Sequence, residues 1–383
     1  MWKHFAANAL TLLIVGLIVL AGLAAMAQRS FVAEGPLEQA ICLRIDRGAN
    51  LRAVTRSLEE QGAVSSGMLF RVGAQYDGRD SQLRFGSYLL PAEASMTQIL
   101  DIITQGGAST CGTEVLLRVG VTRAEYLVRE LDPATNRFSE VLELPLETEE
   151  FPEEYQALSV LPDTRFRIAI AEGATSFQVM NALENAEFLS GEIAEIPAEG
   201  TLSPDSYEVR RGADREELIG DMQARQLAIL TSAWETRAEG LPLATPEEAL
   251  ILASIVEKET GVAEERRLVA SVFINRLNTP MRLQTDPTVI YGITRGRTVL
   301  GRGLRRSELN AETPYNTYRI DGLPPTPIAN PGRASIEAVL NPEESDYLFF
   351  VADGTGGHAF AETLAEHNAN VALWRRIEAE RNQ

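Results

Sequence analysis

The apolar and polar positions of this chain fall into a few separable patterns. Residues 9–27 form an uncharged, mostly apolar run of 19 residues. At 1.5 Å per helical residue about 20 residues cross a bilayer core, so this run predicts a membrane-spanning helix. Further on, Leu43-Arg-Ile-Asp-Arg-Gly48-Ala-Asn-Leu-Arg-Ala-Val54, reaching Leu58, matches Ile168-Ala-Ile-Ala-Glu-Gly173-Ala-Thr-Ser-Phe-Gln-Val179, reaching Leu183, at one offset. Each copy reads as a strand, a glycine turn and a helix capped by Asn50 or Thr175. Gly86-Ser-Tyr88-Leu-Leu likewise matches Asp205-Ser-Tyr207-Glu-Val, each followed by a turn and a second helix beginning near Ala94 or Ala213. Between the copies, Thr113–Val119 predicts a strand and Thr122–Glu130 a short helix. Glu147–Glu154 is an acidic, exposed run with no chemical role. Thr245-Pro246-Glu247-Glu248 opens a further helix, with Thr245 as cap, Pro246 in the first turn and Glu248 completing a capping box; Gly261 is its stop. Tyr347–Ala352 and His358–Phe360 read as two strands joined by a glycine-rich turn, and a last helix runs through His367 towards Gln383.

The predicted fold class is α+β. Its expected parts are a tail at 1–8, a transmembrane anchor at 9–27, a linker at 28–40, a first unit at 41–112, an insertion at 113–164, a second related unit at 165–232, and a mixed C-terminal domain at 233–383. The repeated unit resembles LysM modules, which bind carbohydrate. The alternative is a pair of duplicated scaffold units that only position the C-terminal part.

Charge then orients the anchor. Lys3 and the free amine precede the apolar run, which favours an N-terminus in the cytoplasm and the bulk of the chain outside the cytoplasmic membrane, on its periplasmic side. Ala25-Met26-Ala27 has the form of a signal-peptide cleavage site, but the apolar run extends up to it, which favours a retained anchor. Either reading exports the remainder. Export permits a Cys42–Cys111 disulfide closing the first unit; two buried thiols are the alternative.

Composition excludes several classes. Of 383 residues 45% are hydrophobic and 23% charged, an ordinary globular balance that rules out a disordered or multi-span chain. The net charge of −19 repels phosphate backbones and argues against nucleic acid as a partner. Two cysteines and three histidines show no zinc spacing, and no phosphate-binding loop, serine elbow or zinc-protease helix occurs. No metal and no cofactor are expected.

The chemistry points to one helix. Glu259 lies four residues after Ile255 and seven after Leu252, on the apolar stripe with Val256. Glu257 is about 200° away around the axis, at roughly 100° per residue. A carboxyl at the end of an apolar stripe loses hydration, so its pKa rises and it can protonate a leaving oxygen near neutral pH. The alternative is an exposed last-turn glutamate paired with arginine. Glycoside hydrolysis ordinarily needs two carboxylates about 5 to 10 Å apart, and Glu257 and Glu259 diverge. Asp286 or Asp321 are the open candidates for a second acid; a mechanism with one carboxylate is the other possibility. Lys258, the sole lysine beyond Lys3, is expected in solvent, and His358 is expected to be structural.

At these residues the chain resembles the membrane-anchored endolytic murein transglycosylases, the YceG-like family. The motifs are Glu257-Lys-Glu259-Thr-Gly-Val-Ala-Glu-Glu, Val272-Phe-Ile-Asn275-Arg-Leu, Met281-Arg-Leu-Gln284-Thr-Asp286-Pro-Thr-Val-Ile-Tyr291-Gly, Tyr315-Asn-Thr-Tyr318, Gly322-Leu-Pro-Pro325, Ile328-Ala-Asn-Pro-Gly332 and Phe350-Val-Ala-Asp353-Gly with Gly357-His358. Glu199-Gly200 and Ser203-Pro-Asp205-Ser-Tyr207 also fit. The insertion and the two cysteines depart from the family pattern.

The resemblance implies cleavage of the β-1,4 bond between N-acetylmuramic acid and N-acetylglucosamine in peptidoglycan glycan strands, without water. The muramic C6 hydroxyl attacks its own C1 and leaves a 1,6-anhydro end, with one glutamate acting as acid and then as base. That role falls on Glu259, with Glu257 as the fallback. Gln284, Thr285 and Asp286, in an irregular stretch broken by Pro287, are candidates to meet sugar hydroxyls, loop capping being the alternative. Tyr291, Tyr315, Asn316 and Tyr318 are candidates to line a saccharide groove, core packing being the alternative. Peptidoglycan synthases of the penicillin-binding class are the partners the resemblance implies. A non-catalytic peptidoglycan-binding scaffold, or a hydrolase using water, are the competing functions. Removal of residues 1–29 is expected to leave a soluble protein that still cleaves glycan in vitro. A well-folded truncation that cleaves none contradicts a self-contained catalytic domain.

Overall fold

The computed structural model describes residues 2–105, 110–161 and 163–381, with side chains described from residue 10 onward. The side chain of Lys3, which carries the orientation argument, and residues 382–383, towards which a last helix is expected to run, therefore lie outside the described residues. The chain divides into two compact units: Met1–Val115 with Leu127–Glu143 and Glu149–Arg165, and Leu116–Tyr126 with Leu144–Thr148 and Phe166–Gln383.

The first unit begins with α1 (Trp2–Val32), within which Leu10–Val32 is long and apolar enough to cross a bilayer. The helix runs five residues into the stretch expected to be a linker, because nothing before Gly35 and Pro36 breaks it. The first repeat follows as β1 (Ile41–Ile45), α2 (Leu51–Glu60), α3 (Gly67–Tyr76), β2 (Gly86–Leu90) and α4 (Met96–Gln105). Asn50 caps α2 by accepting from the Ala53 N–H at 3.0 Å, as its position predicts. Leu43, Leu58, Phe70, Leu90, Ile99 and Ile103 fill the core of this unit with almost no exposure. Cys42 and Cys111 form a disulfide with Cα atoms 5.8 Å apart, which ties β1 to the segment after α4.

The insertion folds as β3 (Thr113–Val119), β4 (Ala124–Asp132), β5 (Arg137–Pro145) and α5 (Glu153–Ser159). The strand at Thr113–Val119 is as expected. The helix expected at Thr122–Glu130 is instead the strand β4. A short apolar run does not distinguish helix from strand by period, and here Tyr126, Leu127 and Val128 are buried consecutively inside a sheet. That sheet has the order β5-β4-β3-β6-β8, where β6 is Arg165–Ile170 and β8 is Ser206–Val209.

The second repeat comprises β6, α6 (Ser176–Glu184), the short strands β7 (Leu189–Ser190) and β9 (Ala213–Asp214) on either side of β8, and α7 (Arg215–Glu235). It reproduces the first in register. Leu43 pairs with Tyr88 in β1–β2, and the matching residues Ile168 and Tyr207 pair in β6–β8, both antiparallel. Gly48 and Gly173 both turn the chain at φ +78°, a conformation that costs a side-chain-bearing residue about 1–2 kcal/mol. Thr175 makes the full capping box with Gln178. The second copy has no counterpart of α3. The boundary expected after residue 232 falls inside α7, whose buried stripe continues from Leu218 through Ile229 and Leu230 to Ala233.

The remainder is α8 (Pro246–Glu259), a 3-10 turn at Ala263–Glu265, α9 (Arg266–Asn278), α10 (Asp286–Thr294), α11 (Arg306–Asn310), α12 (Arg333–Leu340), the antiparallel hairpin β10 (Phe349–Ala352) and β11 (His358–Ala361), and α13 (Leu364–Arg381). Leu252, Ile255 and Val256 of α8 sit in one core with Val269 and Phe273 of α9 and Ile336 and Val339 of α12. The second repeat is fastened to these helices by polar contacts. Asn330, fully buried, accepts from the Leu202 N–H at 3.0 Å and donates to the Ala174 carbonyl at 3.0 Å and the Ser176 hydroxyl at 3.3 Å. Asn330→Ala strands a buried donor and is expected to lower the unfolding free energy of this unit by about 2–3 kcal/mol in denaturant titration. A loss under about 0.5 kcal/mol, the scale of a surface change, contradicts that role.

Candidate active site

The last turn of α8 sends three consecutive side chains to three different elements. Thr245 caps the start of the helix by accepting from the Glu248 N–H, and Pro246 occupies its first turn. The Glu248 carboxylate accepts instead from the N–H of Ala244, one residue before the cap. At the other end the helix stops at Glu259, and Thr260 is extended.

Glu257 accepts hydrogen bonds from the Gly332 N–H at 2.9 Å and the Ser335 hydroxyl at 2.8 Å. It holds the N-terminus of α12, where a carboxylate is favoured by the helix dipole. Lys258 donates its Nζ to the carbonyl of Gly173 at 3.2 Å, so the partner left open by the sequence is the glycine turn of the second repeat. Burial lowers its pKa, opposed by the neighbouring Glu257 and Glu199 carboxylates. Glu259 faces the other way, and its Oε1 accepts from the Thr285 hydroxyl.

Thr285 is itself over-determined. It is buried, occupies the N-cap position of α10 without spending its hydroxyl on the helix, and its N–H donates to the Thr317 hydroxyl at 3.0 Å. Thr288 donates to the Thr285 carbonyl at 2.8 Å, and the Thr288 and Thr317 hydroxyls lie 2.9 Å apart. Gln284, at φ +50°, is held in the left-handed region by its N–H bond to the Thr317 carbonyl. Arg276, buried, donates to the carbonyls of Leu283 and Leu348 and so pins the same turn against the segment leading into β10.

Around Glu259 burial is the largest electrostatic influence. Burial pushes its carboxyl above the usual glutamate range. The Thr285 hydrogen bond opposes this, the Asp286 charge reinforces it, and His358 and Arg276 oppose it more weakly. Asp286 accepts from the Tyr318 hydroxyl at 2.7 Å, and burial together with that carboxylate raises the tyrosine pKa. His358 is held by Glu265, which takes its backbone N–H at 3.0 Å and sits 2.8 Å from its Nδ1.

The predicted site residues thus separate into two groups. Glu259, Gln284, Asp286 and Tyr318 keep accessible surface and cluster at the C-terminal end of α8. Gln284 and Thr285 lie in an irregular stretch as expected, but Asp286 is the first residue of α10, because Pro287 suits a first helical turn. Thr285 holds Glu259 from below the surface. Tyr315 is buried in the core with its hydroxyl 2.8 Å from that of Thr326. Asn316 is fully buried, and its amide is used up by the carbonyls of Glu308, Leu309 and Ala311 and the N–H of Tyr318. Both therefore build the loop from inside and offer no surface to a groove. Tyr291 spends its hydroxyl on Glu199 at 3.2 Å. Glu257 is committed to α12, and Asp321 lies in solvent beside Arg282. Arg276, Glu265 and Thr317 were not singled out by sequence reasoning, since their contacts join segments far apart in the chain. Among the described residues no group of three or more His, Cys, Asp or Glu is placed to hold a metal ion.

Because its carboxyl is raised, folded Glu259 binds its proton more tightly than the unfolded chain does. The stability tied to this group is full at acid pH and is lost as pH rises through the raised value. Glu259→Gln removes that penalty while keeping an oxygen for Thr285. The variant is expected to melt above the wild type at pH 8, with the gap closing towards pH 4. A gap that does not change with pH contradicts a desolvated carboxyl.

Comparison with known proteins places this geometry in context. A YceG-like family profile matches residues 43–373. The chain is 29% identical over 339 residues to the endolytic murein transglycosylase of Streptococcus pneumoniae strain D39, covering 87% of this chain and 58% of that protein. It is 29% identical over 328 residues to the endolytic murein transglycosylase of Bacillus subtilis strain 168, covering 85% of this chain and 82% of that protein. The chain therefore spans somewhat more than half the length of its pneumococcal relative. A crystal structure of a yceG-like protein from Listeria monocytogenes aligns with a TM-score of 0.45 at 25% identity, covering 86% of this chain and 99% of that one. With a family match running through nearly the whole chain beyond α1, and through every element that builds the Glu259 site, the chain belongs to the YceG-like family.

Proposed function

We propose that this chain is an endolytic lytic transglycosylase of peptidoglycan, cleaving between N-acetylmuramic acid and N-acetylglucosamine with Glu259 as its acid and base. The observation that carries the reading is a single desolvated carboxyl, held by one hydroxyl, at the accessible end of a core helix. The name of the aligned relatives supports the same reaction.

A protonated Glu259 donates its proton to the glycosidic oxygen as the C1–O bond breaks, and positive charge develops at the muramic C1. The carboxylate left behind takes the proton of the C6 hydroxyl while that oxygen bonds to C1. The proton count closes: one is given and one is recovered, no water is consumed, and the glutamic acid is regenerated. The same desolvation that favours the neutral acid before cleavage makes the carboxylate a stronger base after it. Gln284, Asp286 and Tyr318 line the approach and meet the sugars, half-buried Tyr291 spends its hydroxyl on Glu199, and Thr285, Tyr315 and Asn316 act from behind the surface.

The hydrolytic alternative has one specific observation in its favour, the Asp286 charge within electrostatic reach of Glu259. In that reading Asp286 activates a water, and the products carry reducing ends. The Tyr318 hydroxyl bound to Asp286 favours a positioning role instead.

In this reading α1 is a single-pass anchor of the cytoplasmic membrane, with Lys3 on the cytoplasmic side and the catalytic part outside. In this proposal it keeps Glu259 near nascent glycan strands, beside synthases of the penicillin-binding class.

Detergent-solubilised full chain incubated with purified peptidoglycan is expected to release fragments with 1,6-anhydro ends, one water lighter than hydrolytic products by mass spectrometry. Glu259→Gln is expected to slow release by about 100-fold to 10,000-fold, and Glu257→Gln to leave the product chemistry unchanged. Reducing ends identify the hydrolase, and glycan left intact by the folded wild type favours a binding scaffold.

A further inference from the structure

Glu199 is the buried acid that the proposed chemistry leaves unused. It lies in the second repeat, in the Glu199-Gly200 pair noted in the sequence, 60 residues before Glu259. Its Oε1 accepts from the N–H of Ser176, the first residue of α6, at 2.7 Å, and lies 3.4 Å from the Asn330 amide nitrogen. Its Oε2 accepts from the Tyr291 hydroxyl at 3.2 Å. Burial raises its pKa, and the hydrogen bonds from Ser176, Tyr291 and the Gly200 backbone pull the other way.

Tyr291 stands on α10, the helix whose N-terminus carries Thr285 and Asp286. From Asp286 to Tyr291 is five residues, about 7.5 Å of helix. A helix of nine residues does not hold itself in water, so its place is set by what grips it. Its first turn is gripped by Thr317. Its middle is gripped by Glu199 through Tyr291, whose ring packs 5.2 Å from that of Tyr315. Just beyond its end, the Gly296 carbonyl accepts from the Thr175 hydroxyl at 2.7 Å. One of these three grips comes directly from Thr175, the N-cap of α6, and a second comes from Glu199, which is itself bonded to the N–H of Ser176 at the start of that helix.

We propose that Glu199 is a positioning residue for the reaction: through Tyr291 it clamps α10 to the start of α6, and so sets the Thr285 hydroxyl that holds the Glu259 carboxyl. The second repeat is then part of the catalytic apparatus in its own right. This inference rests on Glu259 being the catalytic acid.

A clamp and a catalytic charge respond differently to substitution. The amide of Glu199→Gln accepts from Ser176 with its oxygen and donates to the Tyr291 oxygen with its nitrogen, so it preserves the clamp. Glu199→Ala removes both bonds, and Tyr291→Phe removes one hydroxyl with little else.

In full-length protein in detergent, the expected result is a kcat for anhydro-end formation about tenfold lower in Glu199→Ala, with KM within about twofold. Glu199→Gln should stay within about threefold of wild type. Adding Tyr291→Phe to Glu199→Ala should cost nothing further. Hydrogen exchange followed by mass spectrometry should show residues 286–294 losing protection in Glu199→Ala and Tyr291→Phe, with β1 and β2 unchanged. A Glu199→Gln variant as impaired as Glu199→Ala, a multiplicative double variant, or unchanged exchange in α10 each overturns the clamp. Should Glu199→Ala fail to fold, Tyr291→Phe decides by the same two readouts. A wild type that forms no anhydro ends overturns the enzymatic reading, and the exchange result still decides the clamp.

Discussion

The hydrogen bond between Thr285 and Glu259 joins the two halves of this site, and the segments around it are arranged to hold its two ends still. One end is the last turn of α8. Consecutive residues of a helix point about 100° apart, so Glu257, Lys258 and Glu259 necessarily diverge. The fold uses that divergence: Glu257 grips α12, Lys258 grips the turn of the second repeat, and Glu259 is left facing the accessible cluster. The other end is the start of α10, fixed by Thr317, Arg276 and Tyr291. A carboxyl can be kept out of water and still be useful only if its geometry is fixed, because a mobile group would find hydration or another partner. The raised pKa of Glu259 and the density of buried polar contacts around it are two aspects of one constraint.

Much of this was legible in the residues. The internal repeat predicted equivalent strands, and the pairings Leu43 with Tyr88 and Ile168 with Tyr207 show the equivalence to one residue. The apolar stripe of α8 separated Glu259 from Glu257 correctly, because a helix buried on one side converts sequence spacing into direction. Two kinds of information were not there to read. Whether Thr122–Glu130 becomes helix or strand is decided by the neighbours that pair with it. The partners of Lys258 and Tyr291 lie 85 and 92 residues away, and no local pattern announces a contact at that separation. Asn316 shows the same limit from the other side: a polar residue in a loop reads as available, yet here it is fully buried and occupied.

The two repeats show how a duplicated unit diverges under different demands. The first keeps a second helix, α3, and a disulfide that closes its ends. The second lacks both and instead packs its glycine turn and helix N-terminus against Lys258, Gly296 and Asn330. Beside its own buried residues Ile168, Val179 and Leu183, the second copy thus gains contacts from the segments around Glu259. Its integrity is thereby tied to the site.

Burial raises the Glu259 pKa, so this carboxyl keeps its proton at pH values where an ordinary glutamate is losing it. Infrared difference spectroscopy of wild type against Glu259→Gln isolates the protonated carboxyl band of this one residue, since Glu199 and Glu172 are common to both proteins. Titration of that band is expected to give a midpoint clearly above the ordinary glutamate value of about 4.3. A midpoint at or below that value contradicts the account, for the group would then be an ionised carboxylate with no proton to give.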